Sequence, residues 1–225
     1  MISLTNALEQ LNSKTDYKKA TKMKNSIKIN YTYLGISTPE MNKLYKEWRN
    51  LIDGDARTVL ASELWNSNIY EGRIIAAKLL TQARIANDGA VWNEIIRWIP
   101  TLDHHIIADH VSAAGSRRIK AFPERFNQIS NWVKDENIWM RQSVLTFTMP
   151  WAKLNNPKKY ELEQRDQILA WAGKLSIDQE WLIQKALANW LSSLSKHDTP
   201  SVLSFLEEHG AKMKPFAINQ ACKFL

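Results

Sequence analysis

Cysteine, glycine, proline and long apolar runs are all scarce in this chain of 225 residues. The single cysteine, Cys222, excludes an internal disulfide framework and a cysteine-rich zinc site, and it fits a reducing compartment. Gly and Pro, at 7 residues each, are too few for the many tight turns of a β-sandwich. No run of about 18 apolar residues is present to span a membrane, and the first residues lack the pattern of a signal peptide. The sequence therefore predicts a soluble cytoplasmic protein.

Positive charge and tryptophan are both well represented. Lys and Arg total 30 against 23 for Asp and Glu, which gives a formal net charge of +7. Such a balance favours a polyanionic partner, nucleic acid first and an anionic membrane second, although many soluble proteins are mildly basic without one. Hydrophobic residues make up 44% of the chain and include 10 Trp, which is enough for a sizeable core. The length indicates one domain or repeat array over residues 1–225.

Helical signals recur along the whole chain, and no alternation of period two extends beyond about four residues. Capping residues or prolines mark several helix starts: Ser37, Asp55, Asp88, Pro123, Asn137, Pro157, Asp178 and Thr199. The predicted helices cover residues 3–12, 39–50, 56–66, 70–83, 89–98, 103–114, 123–133, 138–149, 157–174, 179–195, 199–208 and 214–224. Residues 23–33 are basic and irregular, and are compatible with a loop or a short helix. We therefore predict an all-α fold.

A weak internal repeat is present in three segments. Each joins a helix end and a polar turn to an aromatic residue and then a basic residue: Tyr70 with Arg73, Trp139 with Arg141, and Trp181 with Lys185. The aromatic residues recur at about 40 residues, or at a multiple with drift, which fits stacked two-helix repeats. The pattern predicts an α-solenoid of antiparallel helix pairs with a concave basic face that suits a nucleic-acid backbone. Alternatively, the aromatic residues are core wedges and the basic residues form a solvated rim.

The stretch from Leu102 to Val111 reads L-D-H-H-I-I-A-D-H-V and holds three of the five histidines. His105 and Asp109 lie four residues apart, so on a helix both project from one face. The flanking apolar residues Ile106 and Ile107 can bury the other side. The pattern indicates either a carboxylate presented on a rigid helix or a solvated polar stripe. A metal site would have only these two ligands and no clear third, so no metal is expected.

Four segments resemble, in order, the AlkD-like DNA alkylation repair glycosylases, which are built of HEAT-like helical repeats. They are Y-T-Y-L-G-I-S-T-P-E-M-N-K-L from Tyr31, L-W-N-S-N-I-Y-E-G-R from Leu64, W-V-K-D-E-N-I-W-M-R from Trp132 and W-L-I-Q-K-A-L from Trp181. The resemblance covers nearly the whole chain. It implies excision of cationic alkylated purines, such as 3-methyladenine and 7-methylguanine, from duplex DNA. We expect a monomer that needs no cofactor.

The resemblance also implies particular site residues in the central stretch. The family's acid ends a Trp-x-x-x-Asp pattern, which here reads His105-Ile106-Ile107-Ala108-Asp109. Asp109 therefore matches the catalytic acid, and His105 stands where the family has an aromatic residue. Asp103 is the other candidate acid, although its position better suits a helix cap. A carboxylate at this place can stabilise positive charge that develops on the deoxyribose.

Two further positions depart from the family pattern. The resemblance predicts a cation at Gln142, while the neighbouring Arg141 points about 100° away on a helix. The second aromatic position holds Asn189, with Trp190 one position late. The candidate DNA-binding residues, taken together, are His105, Arg73, Arg141, Gln142, Lys185, Asn189 and Trp190.

Three functions remain open from the sequence. The first is a DNA glycosylase with Asp109 as its acid. The second is a non-catalytic helical-repeat protein that binds DNA, because the supporting aromatic and basic positions have changed. The third is a protein–protein scaffold on the same fold.

Overall fold

The structure, a computed structural model, describes residues 2–225, and these residues form helices with no β-strand. The α-helices are α1 (Leu4–Ser13), α2 (Tyr17–Ile27), α3 (Thr38–Leu51), α4 (Gly54–Asn66), α5 (Tyr70–Leu80), α6 (Gly89–Trp98), α7 (His105–Ala121), α8 (Phe126–Trp132), α9 (Ile138–Phe147), α10 (Met149–Ala152), α11 (Lys159–Leu175), α12 (Trp181–Leu194), α13 (Thr199–His209) and α14 (Pro215–Ala221). Short 3₁₀ helices cover Ile99–Thr101, Pro123–Arg125, Gly210–Lys212 and Cys222–Phe224. The all-α prediction is confirmed. Within residues 2–225, no helix is both long enough and apolar enough to cross a membrane.

The helices group into two compact units, one ending at Arg118 and the other running from Ile119 to Leu225. In the first unit, α5 packs against α3 and α4, and α4 also contacts α6. In the second unit, α12 packs against α9 and α14, and α8 packs against α9. The pairs α4–α5 and α8–α9 join consecutive helices, and the other contacts join helices two or three positions apart, which is consistent with a solenoid of stacked helix pairs.

Each unit has one helix that is buried nearly all round. In the first unit this is α5, whose Ile74, Ile75 and Leu79 are buried together with the small residues between them. In the second unit it is α12, which buries Ile183 and Leu187 in the same way. A helix that is apolar on all sides belongs in the centre of a unit, since its neighbours must cover every face. Both helices begin at the aromatic residue of a sequence repeat, Tyr70 in α5 and Trp181 in α12.

Several helix starts differ from the sequence prediction. A helix that the sequence left open, α2, begins after Asp16, whose carboxylate accepts from the Lys19 backbone N–H at 3.0 Å. Asp53, not Asp55, caps α4 by accepting from the Ala56 N–H at 2.8 Å. In both helices the capping aspartate is the one whose carboxylate accepts from a backbone N–H three residues later, in the first turn.

Three other helix boundaries also differ from the prediction. α12 begins at Trp181, and Asp178 accepts from Arg141 and from the Glu180 N–H in the turn before it. α7 begins at His105, two residues later than predicted, and extends to Ala121. α9 stops at Phe147, two residues earlier than predicted, and Pro150 lies in the first turn of α10.

Arginine side chains recur as donors to main-chain carbonyls inside each unit. The pairs are Arg57 with Arg49 and Ile52, Arg73 with Trp65, Arg118 with Gln82 and Ala83, Arg141 with Asp135 and Glu136, and Arg165 with Trp151 and Leu154. Three of these guanidinium groups also pair with an aspartate: Arg118 with Asp88, Arg141 with Asp178, and Arg165 with Asp198. Carbonyls left without a partner near helix ends and turns are satisfied in this way.

The loop that follows α2 is held by a buried carboxylate in the first turn of α5. Glu71 is 0% exposed and accepts from the backbone N–H groups of Leu34, Gly35 and Ile36 at 3.1, 2.7 and 3.3 Å. A carboxylate that accepts several N–H groups recovers much of the hydration it loses on burial. Thr32 adds to the anchor, because its carbonyl accepts from the Tyr70 N–H at 3.0 Å. The loop is therefore fixed to α5 along most of its length.

Gly35→Ala is expected to destabilise the chain by about 2–4 kcal/mol, the sum of backbone strain and overpacking. Gly35 has a φ of +72°, and a Cβ there would lie 2.6 Å from the Ala20 backbone N and also against the Asp16 carbonyl. Neither backbone atom can move away without displacing α2. Urea-induced unfolding measures the change. Gly54→Ala is the matched control, because nothing lies within 4 Å of its Cβ. Equal unfolding midpoints for the two variants would contradict this account of the loop.

Candidate functional site

Two tyrosines hold the start of α7 in the first unit. The Tyr31 hydroxyl donates to Asp103 Oδ1 at 2.5 Å, and the Tyr70 hydroxyl lies 3.1 Å from His104 Nδ1. The His104 ring packs against the His105 ring with centroids 4.5 Å apart. Asp103 therefore ties the residues before α7 to the loop that Glu71 anchors. The turn that leads into the predicted Trp-x-x-x-Asp position is thus held by side chains from two other parts of the unit.

Burial fixes the protonation states in this cluster. It raises the pKa of Tyr31, and the hydrogen bond to Asp103 raises it further. Burial also raises the pKa of Tyr70, so both phenols stay protonated near neutral pH. The pKa of His104 is lowered, first by burial and then by the neighbouring His105. A neutral imidazole with its proton on Nε2 accepts from the Tyr70 hydroxyl at Nδ1.

Arg73 also belongs to this cluster. Its Nη1 donates to the Tyr31 hydroxyl oxygen at 2.5 Å, and its Nε donates to the Trp65 carbonyl at 3.3 Å. The guanidinium carbon lies 4.8 Å from the Tyr31 ring centroid and 4.9 Å from that of Trp65. Trp65 in turn stacks on Trp98 with centroids 4.4 Å apart. The guanidinium therefore has partners within the unit, and contact of the half-buried Arg73 with DNA stays a prediction.

Asp109 and His105 are exposed on α7, one helical turn apart. Behind them Ile107 is buried, as the sequence predicted, and so is Val111. Ile106 differs from the prediction, because its side chain is 40% exposed beside His105. The exposed face of α7 thus carries a carboxylate, an imidazole and one apolar side chain. Within residues 2–225, no three or more His, Cys, Asp or Glu side chains gather as candidate metal ligands.

A groove of about 580 Å³ opens beside the first turn of α7, within the first unit. We call it the α2–α7 groove. It is lined by α2, the Glu71-anchored loop, the starts of α3 and α5, and the residues His104, His105 and Ile106. Exposed Lys19 and Lys22 stand on its α2 side. The groove is not evident from the sequence, because the sequence does not mark α2 clearly as a helix.

In the second unit, Arg141 is engaged within the fold. Its Nε donates to Asp178 Oδ2 at 2.7 Å, and its Nη1 donates to the carbonyls of Asp135 and Glu136, each at 2.8 Å. Gln142, the next residue on α9, is buried. The prediction that these two residues contact DNA is therefore wrong for Gln142, and Arg141 serves to join the start of α9 to the turn before α12.

The remaining predicted DNA contacts lie on α12. Lys185 Nζ lies 4.6 Å from the ring centroid of Trp181, which is half-exposed. Asn189 accepts a hydrogen bond from Gln220. Trp190 is 0% exposed and its Nε1 donates to a buried main-chain carbonyl, so the prediction that it contacts DNA is wrong. Lys185 is thus a predicted DNA contact in this unit that has an exposed aromatic partner, Trp181.

Comparison with known proteins defines the class. A family model described as DNA alkylation repair enzyme matches residues 7–225, and the chain belongs to this family. No curated protein matches the chain. Solved structures do: a predicted DNA alkylation repair enzyme from Enterococcus faecalis is 17% identical with a TM-score of 0.75, covering 94% of this chain and 97% of that one.

Two structures from Streptococcus mutans are also similar. AlkD2 is 16% identical with a TM-score of 0.63, and smu.31 from strain UA159 is 17% identical with a TM-score of 0.62. Each match covers 92% of this chain and 96% of the other. At these identities the likeness shows a shared helical fold.

Proposed function

We propose that the protein excises cationic alkylated purines, such as 3-methyladenine and 7-methylguanine, from duplex DNA. The observation that carries the proposal is the exposed Asp109 carboxylate on α7, a helix with a buried back and a start held by Tyr31 and Tyr70. Membership in the DNA alkylation repair family supports it. A helix holds a carboxylate at a more precise position against a sugar than a loop does.

The reaction needs little from the protein because alkylation activates the substrate. A purine alkylated on a ring nitrogen is already cationic, so it leaves with the electron pair of the N-glycosidic bond and becomes neutral. Positive charge then develops on the deoxyribose, where the Asp109 carboxylate stabilises it. Water adds to C1′ and loses a proton, which leaves an abasic site and the free base. No cofactor takes part in this scheme.

His105 supports the same site from one turn away. Its exposed ring lies where the family resemblance implies an aromatic residue, and an imidazole can still pack against a sugar or a base. The ring is backed by His104, and His104 is held by Tyr70. A side chain restrained in this way loses less freedom when it meets a ligand.

The test of the proposal is release of free base from methylated duplex DNA. We expect the wild-type protein to release 3-methyladenine or 7-methylguanine and to leave abasic sites that alkali converts to strand breaks. Chromatography of the soluble products measures this directly. Binding to the same DNA without any release would contradict the catalytic proposal.

A second candidate function, DNA binding without catalysis, is favoured by observations in the second unit. Gln142 and Trp190 are buried and Asn189 is bonded to Gln220, so these three positions do not present the aromatic and cationic groups that the resemblance implies. The lysines of α2 in the first unit would still contact phosphates.

Both candidate functions predict salt-dependent binding to duplex DNA with little sequence preference. Lys22→Glu is expected to weaken binding on every sequence and to lower the slope of log affinity against log salt by about 1, since one phosphate contact is lost. Lys22 is exposed on α2, whereas Arg141 is held by Asp178 and would report on folding. Fluorescence anisotropy at several salt concentrations measures the change. Lys46→Glu on α3 is the control of equal charge, and an identical loss in both variants would remove α2 from the interface.

A further inference from the structure

We propose that the Lys78 amine condenses with the aldehyde of an abasic deoxyribose and holds the damaged strand as a reversible imine. This reaction goes beyond the proposed function, because it acts on the abasic site that remains after a base has been released. It needs no pocket for a base, since the base has already left. The observation that carries it is that α3, α5 and α7 bring a phenol ring, a lysine amine and an imidazole together beside Asp109.

Tyr45, Lys78 and His110 form a cluster in the first unit, which we call the Lys78 cluster. The same three helices supply apolar residues to the α2–α7 groove: Met41 of α3, Ile74 of α5 and Ile106 of α7. Each member of the cluster follows one of these residues by four positions, so it lies on the same face of its helix one turn further along. Lys78 Nζ lies 5.5 Å from the Tyr45 ring centroid, and its charge acts on His110.

The Lys78 cluster lies at the level of the proposed acid. Asp109 directly precedes His110 on α7, and it is one turn beyond His105, which borders the groove. In the proposed excision the Asp109 carboxylate faces the deoxyribose, whose C1′ becomes the aldehyde carbon when the abasic sugar opens. The electrophile therefore forms at the turn of α7 that Lys78 of α5 approaches.

Burial makes the Lys78 amine a better nucleophile than an ordinary surface lysine. The side chain is partly buried, and this burial lowers the pKa of the amine, so that more of it is neutral at physiological pH. Among residues 2–225, no ion pair or hydrogen bond occupies the Lys78 amine. Burial and the nearby Lys78 charge lower the pKa of His110 to about 4, so its imidazole is neutral and able to accept a hydrogen bond from the amine.

The condensation needs only the amine, the aldehyde and solvent. The neutral nitrogen of Lys78 adds to C1′, the carbonyl π electrons move to oxygen, and a proton passes from nitrogen to that oxygen to give a carbinolamine. The carbinolamine hydroxyl then takes a proton from solvent and leaves as water, which yields a cationic imine. The Tyr45 ring stabilises this cation as it does the ammonium group. Addition of water reverses the sequence and returns the amine and the intact abasic strand.

The experiment presents wild-type protein with a duplex that carries one abasic site, made beforehand by excising uracil with a separate enzyme. Sodium cyanoborohydride reduces any imine to a stable secondary amine. We expect a covalent protein–DNA adduct on a denaturing gel, and peptide mass spectrometry should place it at Lys78. The same duplex with a tetrahydrofuran residue, which has no aldehyde, is expected to give no adduct. Absence of an adduct with the abasic duplex, or an adduct at another lysine or at the N-terminus, would overturn the proposal.

A matched pair of variants tests the role of the amine. Lys78→Arg keeps the positive charge and a phosphate contact, but a guanidinium does not form this imine, so the adduct is expected to fall at least about tenfold. Lys22→Arg makes the same change at a lysine that lines the groove from α2, and it is expected to form the adduct as wild type does. Circular dichroism checks that both variants fold, and the mass spectrometry of the wild-type adduct does not depend on either. Equal adduct in wild type and Lys78→Arg would contradict the assignment.

The outcomes separate this inference from the proposed function, because the abasic duplex is made without this protein. Release of methylated base by a protein that forms no adduct at Lys78 overturns the inference and leaves excision in place. An adduct at Lys78 in a protein that releases no methylated base supports the inference and contradicts the catalytic proposal.

Discussion

Asp109→Asn is expected to slow the excision of methylated purines about a hundredfold or more, which corresponds to about 3 kcal/mol of lost transition-state stabilisation. The substitution keeps the size and hydrogen-bonding capacity of the side chain but removes its negative charge. Asp109 is exposed on α7. DNA affinity should stay the same or rise slightly, because an anion near the phosphates is removed. Single-turnover excision and anisotropy measure the two effects separately.

Asp103→Asn is the informative comparison for this prediction. Asp103 accepts the Tyr31 hydroxyl at 2.5 Å, so the structure gives it a role in holding the start of α7. We expect this variant to lose thermal stability and to keep a measurable excision rate. Loss of excision in Asp103→Asn with full activity in Asp109→Asn would transfer the catalytic role to Asp103. Equal rates in wild type and Asp109→Asn would likewise show that the assignment is wrong.

Arg118→Met is expected to destabilise the protein by about 3–5 kcal/mol, the largest effect on folding that we predict. Arg118 and Asp88 form an ion pair at 3.1 Å with side chains that are 0% and 2% exposed. Removing the guanidinium leaves the Asp88 carboxylate buried beside an apolar side chain. It also removes the donor to the carbonyls of Gln82 and Ala83. Urea-induced unfolding followed by tryptophan fluorescence measures the loss.

The double variant Asp88→Asn/Arg118→Met tests whether the buried charge is the cause. Once both charges are removed, no uncompensated charge remains, and we expect the double variant to be more stable than Arg118→Met by about 1 kcal/mol or more. The carbonyls of Gln82 and Ala83 still lose their donor, so full wild-type stability is not expected. A double variant less stable than Arg118→Met would mean that the loss comes from packing.

The helical fold follows from local signals that the sequence carries directly. Ser37 before α3 and Asn137 before α9 mark helix starts that the structure confirms. Asp55 misled because a second aspartate, Asp53, competes for the same role two residues earlier. A cap is chosen by where the chain enters the helix, and that depends on packing that short-range patterns do not contain. α2 was left open because its apolar face is narrow and its remaining residues are mostly lysine and small polar residues.

The candidate site was predictable on one helix and much less so elsewhere. His105 and Asp109 share one face of α7, as their four-residue spacing on a helix requires, and that face is exposed. Trp190 was misplaced because one residue along a helix is a rotation of about 100°, enough to turn a surface position into the core. The contact of Glu71 with Gly35 joins residues 36 apart. No local pattern reports a contact at that separation.

The arginines that bind main-chain carbonyls have a consequence for what the protein can read in DNA. A guanidinium fork is the group that distinguishes guanine by its paired acceptors in the major groove. Arg57, Arg73 and Arg118 direct theirs to carbonyls of the first unit. The cations along α2 are lysines, which meet phosphate as point charges. Contact through this helix would therefore sense the spacing of the backbone and ignore the base sequence, so that damage could be sought in any stretch of DNA.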